Sequence, residues 1–321
     1  MRRRAIARVS TSPLGEHATA NGASPQLAYG PAGRSPWLDV DWHEHQRWVS
    51  VDGQQVNTIE LGDGDGQPIV FVHGLSGSWP NWLEQLPVLA RQHRVLAFDL
   101  PGFGHSPMPS WRISISAYAR LLDGLLQARG IDAAAVVGNS MGGFIGTELA
   151  ISYPQRVERL VLVSAAGIST HGTPARRHAA SGLRRLEAVL AGSTAWVAAR
   201  SDAAARRARL RKATLKLVVR HPDQLPAALA AEQLRGAGTD GFFDALQAVM
   251  DYHVRERLAQ IACPTLIVWG ECDALISVRD ADVFAELIPN SRKVIYEDTG
   301  HMAMLERPQA FNALLAEFLD E

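Results

Sequence analysis

Ala135-Val136-Val137-Gly138-Asn139-Ser140-Met141-Gly142 is the stretch that decides how the rest of the chain is read. Three apolar residues make a short buried strand, and a helix-like stretch runs on from Met141 to Tyr153. Between them the pattern G-x-S-x-G puts Ser140 on a sharp strand-to-helix turn that lifts its hydroxyl off the sheet. Glycines two before and two after suit a turn too tight for side chains. A helix opening at Met141 also aims backbone N–H groups at any negative charge developing beside the serine. The five-residue pattern alone is weak. Strand before and helix after make Ser140 a candidate nucleophile.

Working outward, the same grammar repeats. Ile69–Val72, Val95–Phe98, Ala135–Val137 and Leu160–Val163 are short apolar runs bounded by turn residues, and helix-like stretches lie near Asn81–Arg91, Ser114–Arg129 and Met141–Tyr153. Continuous apolar strands separated by helices predict a parallel sheet covered on both faces. Ahead of them, Arg47–Val51 and Gln54–Leu61 flank Asp52-Gly53, which suits a type I′ hairpin turn. After Ala166 the alternation stops. Residues 168–257 are rich in Ala, Leu and Arg, hold no strand run and include a basic piece with Arg206, Arg207, Arg209, Arg211, Lys212 and Lys216. The alternation resumes with the strand Thr265–Trp269, the helix Arg279–Leu287, the strand Lys293–Tyr296 and the helix Phe311–Leu319. The expected organisation is therefore a disordered N-terminal leader at 1–36, an α/β core at 37–167 and 258–321, and one helical insertion at 168–257.

Three further segments gather chemistry at the ends of these strands, where open α/β sheets bind ligands. His73-Gly74-Leu75-Ser76-Gly77-Ser78 follows the strand Ile69–Val72, and the backbone N–H of Leu75 is expected to pair with that of Met141 as an oxyanion hole. The His73 ring is expected to fix that loop rather than act as a base. Asp273 follows one late strand and His301 the next, giving the order Ser140, Asp273, His301. This set suits a nucleophile, a base and the carboxylate that orients the base. Glu271 is the rival acid. Gly74, Trp79, Trp82 and Met302 are expected to line the substrate pocket, with the two tryptophans at its mouth.

With these motifs in hand, the region from Gln67 to Glu321 resembles the α/β-hydrolase fold family, most closely its lidded esterase, haloperoxidase-like and C–C hydrolase branch. The resemblance rests on "VHGLSGS", on "DLPGFGHS" from Asp99 to Ser106, on "GNSMGG" from Gly138 to Gly143, and on "PTLIVWGECD" and "GHMAMLERP". It implies a mostly parallel, doubly wound sheet with an inserted helical lid at 168–257. It also implies that Asp273, rather than Glu271, is the third triad member, and that Asp99 is a structural acid. The implied activity is cleavage of small to medium acyl or aromatic esters, lactones included, through an acyl-enzyme on Ser140. Serine at the elbow separates the chain from the dehalogenase and epoxide hydrolase branches, which carry Asp there. Two readings compete: a C–C hydrolase of vinylogous diketones, for which Arg177, Arg184 or Arg185 would supply polar groups, and a non-hydrolytic ligand receptor.

Composition narrows the alternatives. The 321 residues are 47% hydrophobic and 20% charged with a formal net charge of −1, so the global balance favours neither nucleic acid nor an anionic surface as partner. No apolar run reaches the length of a membrane helix. The opening Met1-Arg2-Arg3-Arg4 lacks the apolar run of a signal peptide behind it. The two cysteines, Cys263 and Cys272, flank a strand that would hold them beyond disulfide reach, and a cytoplasmic location is the default. Neither the His nor the Cys spacing predicts a metal site, and the chemistry requires no cofactor. A small-molecule ester is the expected partner.

Overall fold

In the computed structural model, residues 28–169, 206–236 and 239–321 are described. They contain an eight-stranded sheet: β1 (Gln46–Val51), β2 (Gln54–Leu61), β3 (Gly66–Val72), β4 (His93–Phe98), β5 (Ala134–Asn139), β6 (Val157–Val163), β7 (Thr265–Gly270) and β8 (Ser291–Tyr296). The spatial order is β1-β2-β4-β3-β5-β6-β7-β8. β1 and β2 form an antiparallel hairpin, β2 runs antiparallel to β4, and every later pairing is parallel. Asp52 and Gly53 both have positive φ (49° and 82°), as the hairpin turn requires. The doubly wound, mostly parallel sheet anticipated from the apolar runs is the one observed.

Those runs are apolar throughout because both faces are covered. Val70, Val72, Leu96, Phe98 and Val136 point into one cluster with the helices α1 (Ile115–Ala128) and α2 (Met141–Ser152). Their strand neighbours Ile69, Phe71, Val95, Ala97, Ala135 and Val137 point into a second cluster on the other face. That alternation is the period of two expected for strand side chains. Ser114 caps α1, its hydroxyl accepting from the Ala117 N–H at 3.1 Å.

Two expectations need correction. The helix foreseen across Asn81–Arg91 is broken into a 3-10 turn at Trp79–Trp82 and one short helical turn at Leu86–Leu89. Pro80 and Pro87 stand at the start of each piece and cannot donate a backbone hydrogen bond within a longer helix. The leader was expected to end at Pro36, yet its last residues are packed. The Tyr29 hydroxyl donates to Glu306 (2.7 Å), Gly30 N–H donates to the Glu306 carbonyl (2.7 Å), and the Ser35 hydroxyl donates to the buried Glu84 (2.7 Å). Trp37 follows with its indole N–H on the same carboxylate at 2.8 Å. The remainder of that segment, 1–27, lies outside the described residues.

The segment between β6 and β7 carries α3 (Ala208–Leu215), α4 (Ala227–Arg235) and α5 (Phe242–Asp251), with no strand among its described residues. Its far end is tied to α2 by the Arg257 guanidinium, 2.8 Å from the buried Glu148 carboxylate, with the Tyr252 hydroxyl on the same group. The chain then closes with α6 (Arg279–Leu287), β8, a single helical turn at Ala303–Glu306, and α7 (Pro308–Asp320).

Candidate active site

Ser140 stands between β5 and α2 with φ 55° and ψ −118°, a left-handed conformation that a residue with a side chain adopts only under constraint. The constraint is visible. Ser140 N–H donates to the Val163 carbonyl on β6 (2.9 Å), and the Ser140 carbonyl accepts from Phe144 (3.2 Å) and Ala166 (3.0 Å). The flanking glycines leave room for this turn. A Cβ on Gly138 would sit 2.3 Å from the Gly142 carbonyl oxygen, and one on Gly142 only 2.1 Å from that of Val72. Ser140 is half-buried, whereas its chain neighbours Asn139 and Met141 are buried.

The loop after β3 lies against this turn, so closely that a Cβ on Gly74 would come 3.0 Å from the Ser140 Cβ. A tight turn from the Gly74 carbonyl to the Gly77 N–H (3.0 Å) shapes it. Among the described residues, no hydrogen bond uses the N–H of Leu75 or of Met141. Both donors are therefore unclaimed by any described residue.

His73 fixes that loop with both ring nitrogens. Nε2 accepts from the Leu100 N–H at 2.9 Å, so Nδ1 carries the proton and donates to the Gly74 carbonyl at 2.8 Å. Burial lowers the affinity of this imidazole for a second proton, while the nearby Asp99 and the Gly74 carbonyl act the other way. Asp99 is itself enclosed and spends its oxygens on Trp79 N–H (2.8 Å), the Asn57 amide (2.8 Å) and His105 N–H (2.9 Å). Its environment is that of a loop organiser.

At the ends of β7 and β8 the arrangement differs. His301 Nδ1 lies 2.8 Å from Asp273 Oδ2, and both side chains are almost wholly enclosed (4% and 0% exposed). The other carboxylate oxygen accepts from Leu275 N–H (2.8 Å) and Ile276 N–H (3.0 Å), which fixes the Asp273 rotamer. With Nδ1 donating to a carboxylate, Nε2 is the ring's acceptor, and no hydrogen bond among the described residues uses it. The Asn139 amide, next to Ser140, reaches the His301 carbonyl at 3.4 Å and links the two loops. Glu271 is exposed and accepts from the Asp298 N–H at 3.4 Å, whereas the imidazole is bonded to Asp273.

The pocket residues separate. Trp82 is fully buried against Phe71, ring centroids 5.0 Å apart, so it belongs to the core and not to a pocket mouth. Trp79 is half-buried and packs on Trp42 at 4.9 Å. Met302 is buried beside His301, and the N–H groups of both donate to the Val218 carbonyl at 3.1 Å. Arg177, Arg184 and Arg185 lie outside the described residues.

One residue that sequence reasoning passed over is Glu306. Its buried carboxylate accepts from Tyr29 (2.7 Å), from the Arg220 N–H (2.9 Å) and from the Gly300 N–H at 3.0 and 2.9 Å. Burial pushes it above the usual carboxylate range, against these donors. It joins the packed N-terminal segment, the insertion and the His301 loop. An acid directly after the apolar run Met302-Ala303-Met304-Leu305 was the available signal.

Comparison with known proteins follows the same lines. Residues 67–308 match the family model described as alpha/beta hydrolase fold. The chain is 30% identical over 266 residues to Lipase 1 of Psychrobacter immobilis, covering 80% of this chain and 78% of the lipase. It is 30% identical over 283 residues to the dihydrolipoyllysine-residue acetyltransferase component of the acetoin cleaving system of Cupriavidus necator, covering 85% and 68% of the two chains. A crystal structure of a bacterial membrane phospholipase A superimposes with a TM-score of 0.69 at 26% identity, covering 88% of this chain and 90% of that one.

Proposed function

Because the chain belongs to the alpha/beta hydrolase fold family, we propose that it cleaves carboxylic esters, of small to medium acyl or aromatic type and lactones included, through an acyl-enzyme on Ser140. The observation that carries this reading is a buried His301–Asp273 pair at 2.8 Å, its loop joined by the Asn139 amide at 3.4 Å to that of a serine held in a left-handed turn. In the proposed mechanism His301 Nε2 takes the Ser140 proton as Oγ attacks the carbonyl carbon. Asp273 keeps the proton on Nδ1 and stabilises the imidazolium that forms. The negative oxygen is received by the N–H groups of Leu75 and Met141, each donor worth about 3 kcal/mol in comparable sites. Imidazolium then protonates the departing alcohol. Water, deprotonated by His301, releases the acid and restores Ser140.

A panel of p-nitrophenyl esters of increasing acyl length, together with lactones and one 2-hydroxy-6-oxo-dienoate, tests the substrate class. The expected result is a larger kcat/KM on a short or medium ester than on the dienoate. A dienoate preferred by tenfold, about 1.4 kcal/mol in transition-state binding, would reassign the enzyme to C–C bond cleavage. A single stoichiometric burst without turnover on every ester would make it a receptor.

A further inference from the structure

The net charge of −1 conceals a local concentration of the opposite sign. From Arg206 to His221 the chain holds Arg206, Arg207, Arg209, Arg211, Lys212, Lys216 and Arg220 and not one carboxylate. Arg211 is drawn inward onto the carbonyls of Pro222 and Asp223 (both 3.0 Å), and Arg220 pairs with Asp298 at 3.1 Å. The other five are exposed, and no ion pair among the described residues uses them.

Apolar groups stand among these charges. Leu215 buries the inner face of α3, while Arg209, Leu210 and Ala213 are exposed at three- and four-residue spacing on the outer one, and Lys216 and Leu217 are exposed in the turn that follows. Leu210 is 42% and Leu217 58% exposed. A third exposed leucine, Leu38 at 42%, lines a cavity of about 310 Å³ beside α4, and Arg206 lines the same cavity. Among the described residues, two of the seven exposed large apolar side chains therefore lie on this basic helix or in the turn after it, and a third shares a cavity with Arg206, which a merely solvated helix face does not explain.

We propose that α3 and the residues flanking it dock on an anionic lipid surface, the leucines entering the headgroup region and the five cations meeting lipid phosphates. Short basic segments with interspersed leucines bind such surfaces by these two contributions together. A nucleic acid is the poorer match, because single-stranded binding relies on stacking aromatics and this face carries no Trp, Tyr or Phe. The docking face is also coupled to the candidate site. Leu217 is followed by Val218, whose carbonyl holds the N–H groups of both His301 and Met302.

The test is co-sedimentation of the full chain with vesicles of phosphatidylcholine alone, or of equal parts phosphatidylcholine and phosphatidylglycerol. Binding to the anionic vesicles is expected to exceed that to neutral ones by about tenfold or more and to fall as salt is raised. The double variants Arg209→Gln/Lys216→Gln and Leu210→Ser/Leu217→Ser should each weaken it by about tenfold, with an unchanged Tm showing that the fold is intact. Equal sedimentation with both vesicle types would overturn the proposal, as would failure of the wild type to bind either. Full binding by the leucine variant would also overturn it, because the face would then be a general polyanion site. None of these readouts depends on the ester-hydrolase reading.

Discussion

Two loops at the carboxyl edge of the sheet each carry a buried histidine, yet only one ring is free to move a proton. After β3, His73 has Nε2 occupied by the Leu100 N–H and Nδ1 by the Gly74 carbonyl. After β8, His301 has Nδ1 on Asp273 and Nε2 engaged by no described residue. Position at a strand end and burial are common to both, so neither marks a base. The difference lies in the partners: two backbone groups make His73 a structural clamp, and one carboxylate leaves His301 a directed acceptor. The same contrast separates the acids. Asp99 and Glu306 are saturated by N–H and O–H donors, whereas one oxygen of Asp273 faces an imidazole.

The contrast is broken most sharply by removing each ring. His301→Gln should lower kcat by about 10⁴–10⁶, in the range of other serine triads, with little change in Tm. Asp273→Asn should cost about 10⁴ through loss of the correct tautomer. Activity retained in either variant would end the assignment of this pair.

His73→Asn should behave in the opposite way. It removes two buried hydrogen bonds, so a loss of about 2–3 kcal/mol of stability is expected, read from denaturant unfolding. Activity should fall much less, and only as the Gly74–Leu75 loop loosens. The sign of its pH dependence follows from the lowered imidazole. The folded state keeps His73 neutral, while the unfolded chain takes up a proton near pH 6.5. Stability should therefore hold above that pH and decline below it, by up to about 1.4 kcal/mol per pH unit. The decline should be shallower in His73→Asn, and identical slopes would show that this ring does not titrate between the two states.

Smaller effects test the scaffold around Glu306. Tyr29→Phe removes the hydroxyl that donates to Glu306 and accepts from the His221 N–H at 2.9 Å. A loss of about 1–2 kcal/mol is expected, a few degrees in Tm for a domain of this size. Truncation to Trp37 should lower Tm by at least as much. An unchanged Tm in both would restore the view of this segment as a dispensable leader. The smallest effect should come from Glu271→Gln, whose side chain is exposed and bonded to the Asp298 N–H rather than to the imidazole. A larger loss of kcat there than in Asp273→Asn would put the acid at Glu271.

Much of the fold was legible because parallel strands buried on both faces are written as continuous apolar runs. Ile69–Val72 and Leu160–Val163 carry no other signal and need none. Gly138 and Gly142 were legible for a local reason, since the turn fixes its own glycines. The failures were tertiary. Trp82 and Trp79 belong to one short segment, and only packing sends the first beneath Phe71 and the second onto Trp42. Tyr29 sits in a Gly- and Pro-rich segment without periodicity, and its anchor, Glu306, is 277 residues away. No local pattern encodes such a contact. The basic face of α3 was visible as charge, but Leu210 and Leu217 gained meaning only once their exposure was known.

The central claim, that Ser140 is the nucleophile served by His301, is tested most directly by fluorophosphonate labelling followed by mapping of the adduct. The expected result is one adduct per chain on Ser140, none in Ser140→Ala, and sharply slowed labelling in His301→Gln. The Ser140→Ala protein should also lose about 10⁴–10⁶ in kcat while keeping the wild-type Tm. An adduct on any other serine, or an active Ser140→Ala protein, would contradict the claim.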